Sequence, residues 1–452
     1  MGANIENLTL TGTLSISGTG NSLANVITGN TGGNTLDDGG LGGSDIMIGG
    51  NGNDIYVVNN TGDSIIESAG TVAGATDLIR STVNFDLNNA ANVENLTLIG
   101  SANIDAVGGL GINTLTGNIG NNVLTGGAGN DILIGGGGDD TYVVNITLAG
   151  ALEDTRITGN TGFDTIQVVG NSTNAIATNL TAAATIEAID ISGTGSSLLN
   201  LTGNALVNIL TGNDANNTLN GGAGADTLIG GGGNDTYTVD NINDVVTESV
   251  AQGVADLVNS SVTYSLSDNV ENLTLTITAA INATGNTGDK TLTGNGAINT
   301  LLGNDGIDTL LGLAGNDIID GGNGNDIIRG GAGNDTLTGG ADADTFWFDT
   351  TANATTNKDN ITDFATGIDK LQFSVSVLTA LGANGQFIVN DSRFWSSTTG
   401  VAHDTDDRLI YNTVTGALSY DSNGNVAGGA VIIEVLGTAT HPALVATDMW
   451  VA

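Results

Sequence analysis

Short apolar stretches and polar turns alternate along this chain with a period of nine residues. The period is clearest in residues 303–347, where consecutive blocks are GNDGIDTLL, GLAGNDIID, GGNGNDIIR, GGAGNDTLT and GGADADTFW. Six residues of each block are rich in Gly, Asn and Asp and can turn sharply, because Gly adopts positive φ freely and Asn tolerates it. The other three alternate between apolar and polar, which predicts a short strand with one side chain pointing inward.

Two blocks complete one coil of a flattened spiral, so side chains eighteen residues apart are expected to stack on the same edge. Asp308, Asp326 and Asp344 then lie on one edge, while Asp317 and Asp335 lie on the other. The pattern predicts an all-β fold, a parallel β-roll or β-solenoid in which helix is nearly absent. The strand positions are filled by Leu310, Ile319, Ile328, Leu337 and Trp347 with Phe346.

Three shorter arrays repeat this pattern and are preceded by weaker turns in which Asn replaces Asp. The arrays centre on Asp45 and Asp54, on Asp131 and Asp140, and on Asp226 and Asp235. For the Asn-bearing turns, a structural rung whose Asn side chains bond the turn backbone is favoured over a complete metal site. The weaker turns hold, at the position of the aspartate, Asn25, Asn34, Asn113, Asn122, Asn208, Asn217, Lys290 and Asn299.

The nine-residue blocks are themselves part of a longer sequence repeat of 84 to 93 residues. ENLTL begins at Glu6, Glu94 and Glu271, and EAIDI begins at Glu187. We expect one continuous rod of four modules, because proline and charge runs are absent from the segments between the arrays. After Trp347 the register changes, which predicts a separate β-rich domain. The predicted boundaries are 1–93, 94–186, 187–270 and 271–348 for the solenoid modules, and 349–452 for the C-terminal domain.

The charge of the chain limits its partners. Acidic residues outnumber basic ones by 48 to 8, which gives a formal net charge of −40. No basic face is present to meet phosphates, so nucleic acid is excluded as a natural partner, and anionic membrane surfaces are disfavoured too. No apolar run reaches the ~18 residues of a membrane span. A polyanion with few aromatic residues does not collapse easily by itself, so the chain is expected to need cations.

The acidic turns predict calcium sites. Carboxylates and carbonyls of the glycine-rich backbone converge between stacked turns, and such an all-oxygen cage suits Ca²⁺, which takes about six to eight oxygen ligands. Zn²⁺ prefers nitrogen and sulfur, and Mg²⁺ demands tighter octahedral geometry. Multiple Ca²⁺ ions are therefore the predicted cofactors. The predicted ligands are Asp45, Asp54, Asp131, Asp140, Asp226, Asp235, Asp308, Asp317, Asp326, Asp335, Asp344, Asn304, Asn316, Asn325 and Asn334.

These blocks resemble the repeats-in-toxin (RTX) haemolysin-type calcium-binding proteins, whose nonapeptide is G-G-x-G-x-D-x-U-x. The resemblance extends to DNITDFATGIDKLQF (359–373), which is similar to the segment that closes many such arrays. DTDDRLIYNTVTGALSYDSNGN (404–425) looks like the strand-rich target domain of type I secretion substrates. The resemblance implies a secreted, extracellular protein, handled by a type I secretion apparatus through an uncleaved signal at its C-terminus. The start, 1–6, has neither the basic nor the apolar region of a signal peptide.

One further acidic segment has some features of a calcium-binding loop. Asp421, Asn423 and Asn425 mimic the start of an EF-hand loop. Val426 stands where the loop needs Gly, and Ile432 stands where it needs Glu. A turn is therefore favoured over a helix-flanked site.

The sequence predicts no enzyme. It contains two histidines, His403 and His441, and neither H-E-x-x-H nor G-x-S-x-G. The first functional hypothesis is a structural protein of the cell surface that assembles head to tail into a surface layer, sheath or filament, with cell-surface polysaccharide as a further candidate partner. The alternatives are a calcium-dependent adhesin or ligand-binding module, and the C-terminal calcium-binding and secretion part of a larger secreted enzyme.

Overall fold

The computed structural model describes residues 1–40, 42–68, 76–148, 151–173, 178–250, 252–424, 429–437 and 440–452. Two compact units divide the chain, Met1–Gly232 and Gly233–Ala452. Regular structure is almost entirely β-strand. Among the described residues, no helix is long and apolar enough to cross a membrane. The helical segments are single 3₁₀ turns at Leu87–Asn89, Ser192–Thr194, Thr379–Leu381 and Ala446–Asp448.

In the first unit, short strands follow one another at intervals set by the polar turns. They are β1 (Asn7–Thr9), β2 (Ser17–Thr19), β3 (Val26–Thr28), β4 (Thr35–Asp37), β5 (Ile46–Ile48), β6 (Ile55–Val58), β7 (Ser64–Ile66), β8 (Leu78–Ser81), β9 (Phe85–Asp86), β10 (Asn95–Leu98), β11 (Ala106–Val107), β12 (Thr114–Thr116), β13 (Val123–Thr125), β14 (Ile132–Gly137), β15 (Thr141–Asn145), β16 (Arg156–Thr161), β17 (Thr165–Val169), β18 (Thr178–Thr181), β19 (Ala188–Asp190), β20 (Leu199–Thr202), β21 (Ile209–Thr211), β22 (Thr218–Asn220) and β23 (Thr227–Ile229).

The second unit continues in the same style and ends in longer strands. They are β24 (Thr236–Val239), β25 (Val245–Thr247), β26 (Leu257–Ser260), β27 (Tyr264–Ser265), β28 (Asn272–Leu275), β29 (Ala283–Thr284), β30 (Thr291–Thr293), β31 (Thr300–Asp305), β32 (Thr309–Leu311), β33 (Ile318–Asn323), β34 (Ile327–Arg329), β35 (Thr336–Ala341), β36 (Thr345–Phe348), β37 (Asp359–Ile361), β38 (Lys370–Phe373), β39 (Gly385–Gln386), β40 (Phe394–Ser397), β41 (Leu409–Asn412), β42 (Ala417–Asp421), β43 (Ala430–Leu436) and β44 (Met449–Val451).

Alternate strands pair in parallel, which is the arrangement of a two-sided coil. In the first unit β12 pairs with β14, with Leu115 opposite Leu133. In the second unit β32 pairs with β34, with Leu310 opposite Ile328. Both pairs of residues are eighteen apart, as the nine-residue period requires. The predicted all-β parallel solenoid is confirmed.

The core is built from inward side chains, one from most of the three-residue strands and two from longer strands such as β6. In the longest array, Leu310, Ile319, Ile328 and Phe346 are fully buried. The sequence predicts that Trp347, together with Phe346, fills the strand position. In the structure Trp347 lies on the outer face of β36. There the Arg329 guanidinium carbon sits 3.5 Å from the centroid of the Trp347 ring, so the ring forms a cation–π contact on the surface.

Parallel pairing in the second unit continues beyond residue 348. Strand β37 pairs in parallel with β35 and β43, and β38 pairs in parallel with β36 and β44. The antiparallel pairs β41–β42 and β42–β43 then add to this sheet. Residues 349–452 are thus rich in strands and share sheets with the coils before them. The predicted boundaries of the modules and of the C-terminal domain remain predictions.

Candidate metal centres

The predicted aspartates lie where each turn enters the next strand, and their side chains face the interior of the turn. Their exposed fractions are at most 2%, an unusual burial for carboxylates unless they are paired or bind metal. Local sequence explains the placement, because the aspartate precedes the inward side chain of its strand by two residues and so points to the same side. The buried set comprises Asp45, Asp54, Asp131, Asp140, Asp226, Asp235, Asp308, Asp317, Asp326, Asp335 and Asp344.

Backbone hydrogen bonds stack these carboxylates in ladders. The backbone N–H of Asp308 donates to Oδ1 of Asp326 at 2.8 Å, and that of Asp326 donates to Oδ1 of Asp344 at 3.0 Å. On the opposite edge, the N–H of Asp317 donates to Oδ1 of Asp335 at 2.8 Å. The two predicted edges are therefore confirmed for this array. In each case one carboxylate oxygen is used to join successive coils.

In nine of these aspartates the second carboxylate oxygen is buried and has no hydrogen-bond donor among the described residues. A buried carboxylate oxygen without a partner is costly, so these atoms need a cation or a proton. The atoms in question are Oδ2 of Asp45, Asp54, Asp131, Asp140, Asp308, Asp317, Asp326, Asp335 and Asp344.

The first glycine of each block leaves the space that such a cation would need. A methyl group on Gly312 would lie 2.5 Å from Oδ2 of Asp317 and 2.5 Å from the carbonyl oxygen of Gly330, one coil further on. At Gly321 it would collide with Oδ2 of Asp326 and lie 2.6 Å from the carbonyl oxygen of Gly339. A carboxylate and a carbonyl thus face the same gap, which is the all-oxygen donor set that Ca²⁺ prefers. The residues fit calcium.

A comparison with known protein families also indicates calcium-binding repeats. The model of the RTX calcium-binding nonapeptide repeat matches the chain in four copies, at residues 107–142, 202–237, 293–328 and 320–350. The chain is an RTX-type calcium-binding repeat protein. The predicted cofactor, several Ca²⁺ ions, is confirmed with the family. RTX repeat proteins are typically secreted. No curated protein matches this chain.

In this RTX-type protein, the first array lies outside the matched residues but shares their geometry. Asp45 accepts the backbone N–H of Asn25 at 2.5 Å, and Asp54 accepts that of Asn34 at 2.6 Å. Both keep an unpartnered, buried Oδ2. The first array is therefore built like those that the repeat model matches.

Burial raises the pKa of the ladder carboxylates. It raises the pKa of Asp317 to about 7, with Asp335 nearby adding to the increase. The pKa values of Asp308 and Asp344 are also raised to about 7, again chiefly by burial. Stacked like charges without a counter-ion favour protonation, so a cation is needed to keep these groups ionised at neutral pH.

The Asn-bearing turns follow the same backbone course, but both ends of their side chains form hydrogen bonds to the backbone. Oδ1 of Asn122 accepts the backbone N–H of Asn118 at 2.8 Å, and its Nδ2 donates to the carbonyl of Ile104 at 2.6 Å. Asn299 makes the equivalent pair of bonds. Because both ends of the amide are bonded to protein groups, the geometry favours the structural rung over a metal site.

The four asparagines predicted as ligands lie apart from the buried carboxylates, on the exposed side of the turns. Asn316 accepts the backbone N–H of Asn334, and Asn334 accepts that of Lys358, each at 2.9 Å. Asn325 accepts the N–H of Ala343. The fourth, Asn304, donates to the carbonyl of Gly285 at 2.9 Å. These side chains link the outer backbone of successive coils, and their role as ligands remains a prediction.

The ladders also contain carboxylates that the nine-residue period missed. The N–H of Asp335 donates to Asp359, and that of Asp344 donates to Asp369, each at 3.1 Å. A signal was available, because every missed aspartate except Asp154 precedes a buried apolar residue by two positions, as Asp308 precedes Leu310. Longer intervening turns hid it. The carboxylates added to the ladders are Asp63, Asp77, Glu94, Asp154, Asp164, Glu187, Asp256, Glu271, Asp359 and Asp369.

The segment that mimics an EF-hand loop begins as a turn. Asp421 is fully buried, and its Oδ1 accepts the backbone N–H groups of Asn423 and Gly424, each at 3.0 Å. This is an aspartate closing a turn on its own backbone. Asn425 and Val426 lie outside the described residues.

The metal-free chain is expected to gain strand structure as pH falls from 8 to 5. The pKa of Asp317 is about 7 in the folded chain against an ordinary 3.8, so folding takes up protons. Stability from such a raised pKa is complete below the ordinary value and is lost as pH rises through about 7. Circular dichroism in a chelator would measure the effect. Strand signal that is unchanged or weaker at pH 5 would contradict it, and a calcium-saturated series serves as the control.

Proposed function

We propose that this calcium-binding repeat protein is a secreted structural protein. It folds when it meets calcium outside the cell, and it then assembles into a surface layer, sheath or filament. The observation that supports the folding step is the row of buried, unpartnered Oδ2 atoms in the ladders, as in Asp308, Asp326 and Asp344. A cation that joins these atoms would offset the cost of burying them together.

Calcium binding and folding are coupled through these ladders. The ligands of one gap come from different coils, for example Asp317 from one and the carbonyl of Gly330 from the next. An unfolded chain cannot present both at once, so calcium binds chiefly the folded form and its binding energy becomes folding energy. The formal charge of −40 opposes compaction without it. A calcium-poor cytosol would then hold the chain unfolded and ready for export.

Export by a type I apparatus is supported by the resemblance of the segments 359–373 and 404–425 to those of type I substrates. In the folded chain these segments contain β37, β38, β41 and β42, which join the last coils of the second unit. Folding of the coils therefore involves the C-terminal strands as well. We propose that they are recognised while extended and fold afterwards.

Assembly is supported by open strand edges and exposed apolar side chains in the first coil. Strand β1 pairs with β3, and β2 pairs with β4; among the described residues each is paired on one side. Ile5 is 50% exposed and Leu14 is 76% exposed. An unpaired edge beside apolar side chains is a template for another chain. We propose a second copy of the protein as the partner at this edge, with cell-surface polysaccharide as a further candidate on the sides.

Electron microscopy is expected to show filaments or sheets of the calcium-loaded protein and none in chelator. Leu14→Lys, which places a charge beside the open edge, should reduce assembly strongly. Leu110→Lys is the matched control, because Leu110 is 87% exposed on a turn away from that edge. Calcium-loaded wild type that remains monomeric at high concentration would rule out assembly and leave calcium-triggered folding intact.

We further propose that the chain has no enzymatic activity of its own. Its two histidines lie in ordinary structural contacts. The ring of His403 stacks on Trp395 with centroids 4.1 Å apart, and its Nδ1 lies 3.0 Å from Oδ2 of Asp407. Nδ1 of His441 lies 2.8 Å from the carbonyl oxygen of Leu436. Both contacts brace turns of the C-terminal strands.

A further inference from the structure

A glutamate joins the ladder at the end of the first nonapeptide array, where the nine-residue pattern stops. Carboxylate oxygens of Asp54, Glu67 and Asp77 lie within 4.8 Å of one another. Their exposed fractions are 1%, 8% and 5%. Glu67 lies outside the nonapeptide blocks. It directly follows strand β7 in the longer segment after the array. The group therefore differs from the nonapeptide gaps, which combine one aspartate with a glycine carbonyl.

A buried tyrosine orients this glutamate. Tyr56 is fully buried, and its hydroxyl donates to Oε2 of Glu67. A methyl group on Gly49 would collide with that hydroxyl and with Glu67, and would lie 2.6 Å from Oδ2 of Asp54. Three oxygens thus converge on the face of a glycine, as in the nonapeptide gaps. Among the described residues, Oδ2 of Asp54 is buried there without a hydrogen-bond partner.

The same group recurs independently in the second unit. Carboxylate oxygens of Asp235, Glu248 and Asp256 also lie within 4.8 Å of one another, with exposed fractions of 1%, 8% and 1%. The hydroxyl of the fully buried Tyr237 donates to Oε1 of Glu248. Oε2 of Glu248 and Oδ2 of Asp256 are buried without hydrogen-bond partners in the part of the chain that the structure describes. In both groups the glutamate follows the first aspartate by thirteen residues.

A third buried tyrosine ends an array, and its hydroxyl has a different hydrogen-bond partner. Tyr142 ends the second array and is as deeply buried as Tyr56. Its hydroxyl donates to the carbonyl oxygen of Thr158 at 2.9 Å, not to a carboxylate. A buried tyrosine at this position therefore does not need a glutamate to satisfy its hydroxyl. The glutamates at the other two positions call for another explanation.

We infer that a glutamate completes the last nonapeptide position of two arrays into a three-carboxylate site for a hard divalent cation, with Ca²⁺ as the expected ion. One site consists of Asp54, Glu67 and Asp77, and the other of Asp235, Glu248 and Asp256. Three carboxylates around one cation give each site a formal charge that a divalent ion nearly neutralises, and an all-oxygen donor set selects calcium over softer metals. Each site would tie the last nonapeptide turn to the longer segment that follows it. The inference extends the proposed calcium-dependent folding and rests on it.

Counting the calcium bound by the full chain tests the inference. Equilibrium dialysis at about 1 mM calcium, a typical concentration for extracellular calcium modules, would be compared for wild type, Glu67→Gln, Glu248→Gln and the double variant. We expect each single variant to lose one ion per chain and the double variant to lose two. Glu6→Gln is the control, because Glu6 is an exposed glutamate outside both groups. It should bind as many ions as wild type.

Equal counts for wild type and the double variant would overturn these two sites and leave the nonapeptide sites standing. Wild type that binds no calcium would overturn the proposed function itself, together with this inference. If circular dichroism shows that the variants do not fold, wild-type crystals soaked in terbium decide the question. Anomalous density beside Glu67 and Glu248 would support the sites, and density confined to nonapeptide turns that lack these glutamates would overturn them.

Discussion

Removing calcium with EGTA at neutral pH is expected to abolish most of the far-ultraviolet strand signal of this protein. The folded chain buries stacked carboxylates such as Asp308, Asp326 and Asp344, and this burial leaves their charge poorly solvated and raises their pKa values. Without calcium, folding must either protonate them or bury them unpaired, and both are costly at pH 7. A chain with a net charge of −40 then remains expanded. Circular dichroism and small-angle scattering would both report the change.

Restoring calcium should recover the fold in a cooperative step, because each ion joins two coils and prepares the next gap. Extracellular calcium modules bind at about 10⁻⁴–10⁻³ M, so the midpoint is expected in that range. Sodium chloride at matched ionic strength and magnesium at matched concentration are the controls, since the first screens charge and the second tests ion size. Strand signal that persists in EGTA, or that sodium chloride restores fully, would contradict the proposed folding mechanism.

Gly321→Ala is expected to raise the calcium midpoint of folding by about tenfold or more. A methyl group at this position would collide with Oδ2 of Asp326 and lie 2.6 Å from the carbonyl oxygen of Gly339. Filling a packed space typically costs about 1–3 kcal/mol, and each ~1.4 kcal/mol is a factor of ten in an equilibrium constant. Here the methyl group also displaces the oxygens that would face the ion. Calcium titrations followed by circular dichroism would measure the shift.

Gly296→Ala is the matched control for this substitution. Gly296 belongs to a turn at the start of the same array, and a methyl group there would meet no atom within 4 Å. Neither glycine has a positive φ, so the two substitutions differ in the space available and not in backbone strain. Both restrict the unfolded chain to the same degree, which cancels that contribution. If the two variants had equal calcium midpoints, the gap beside Gly321 would not be a calcium site.

The nine-residue period was sufficient to predict the solenoid and its edges. A short period leaves few choices, because each block contains one turn, one strand and one inward side chain. The stacking of Asp308 on Asp326 and of Asp317 on Asp335 followed from counting eighteen residues, and the hydrogen bonds agree. The buried position of Phe346 was less certain in sequence, since Trp347 beside it is equally apolar. The spacing of two residues from Asp344 already favours Phe346, and the pairing of β36 with β34 places Phe346 opposite Ile328.

The sequence did not reveal how far the carboxylate ladders extend. Asp77, Asp164 and Asp359 occupy ladder positions, but turns of variable length separate them from the preceding aspartates. A search for a fixed spacing does not detect them, although each stands two residues before a buried apolar side chain. Turn length matters little to a solenoid, because strand pairing restores the register after every coil.

The sequence by itself determined the coil, its inward residues, its acidic edges and the kind of ion they suit, since all of these follow from local spacing. The tertiary structure decided which oxygens meet. Glu67 and Glu248 lie thirteen residues after the aspartates they join, and no local rule brings them beneath Tyr56 and Tyr237. Their positions depend on how an irregular segment packs against the coil before it. Such contacts between distant residues are set by packing and are not encoded in any short repeat.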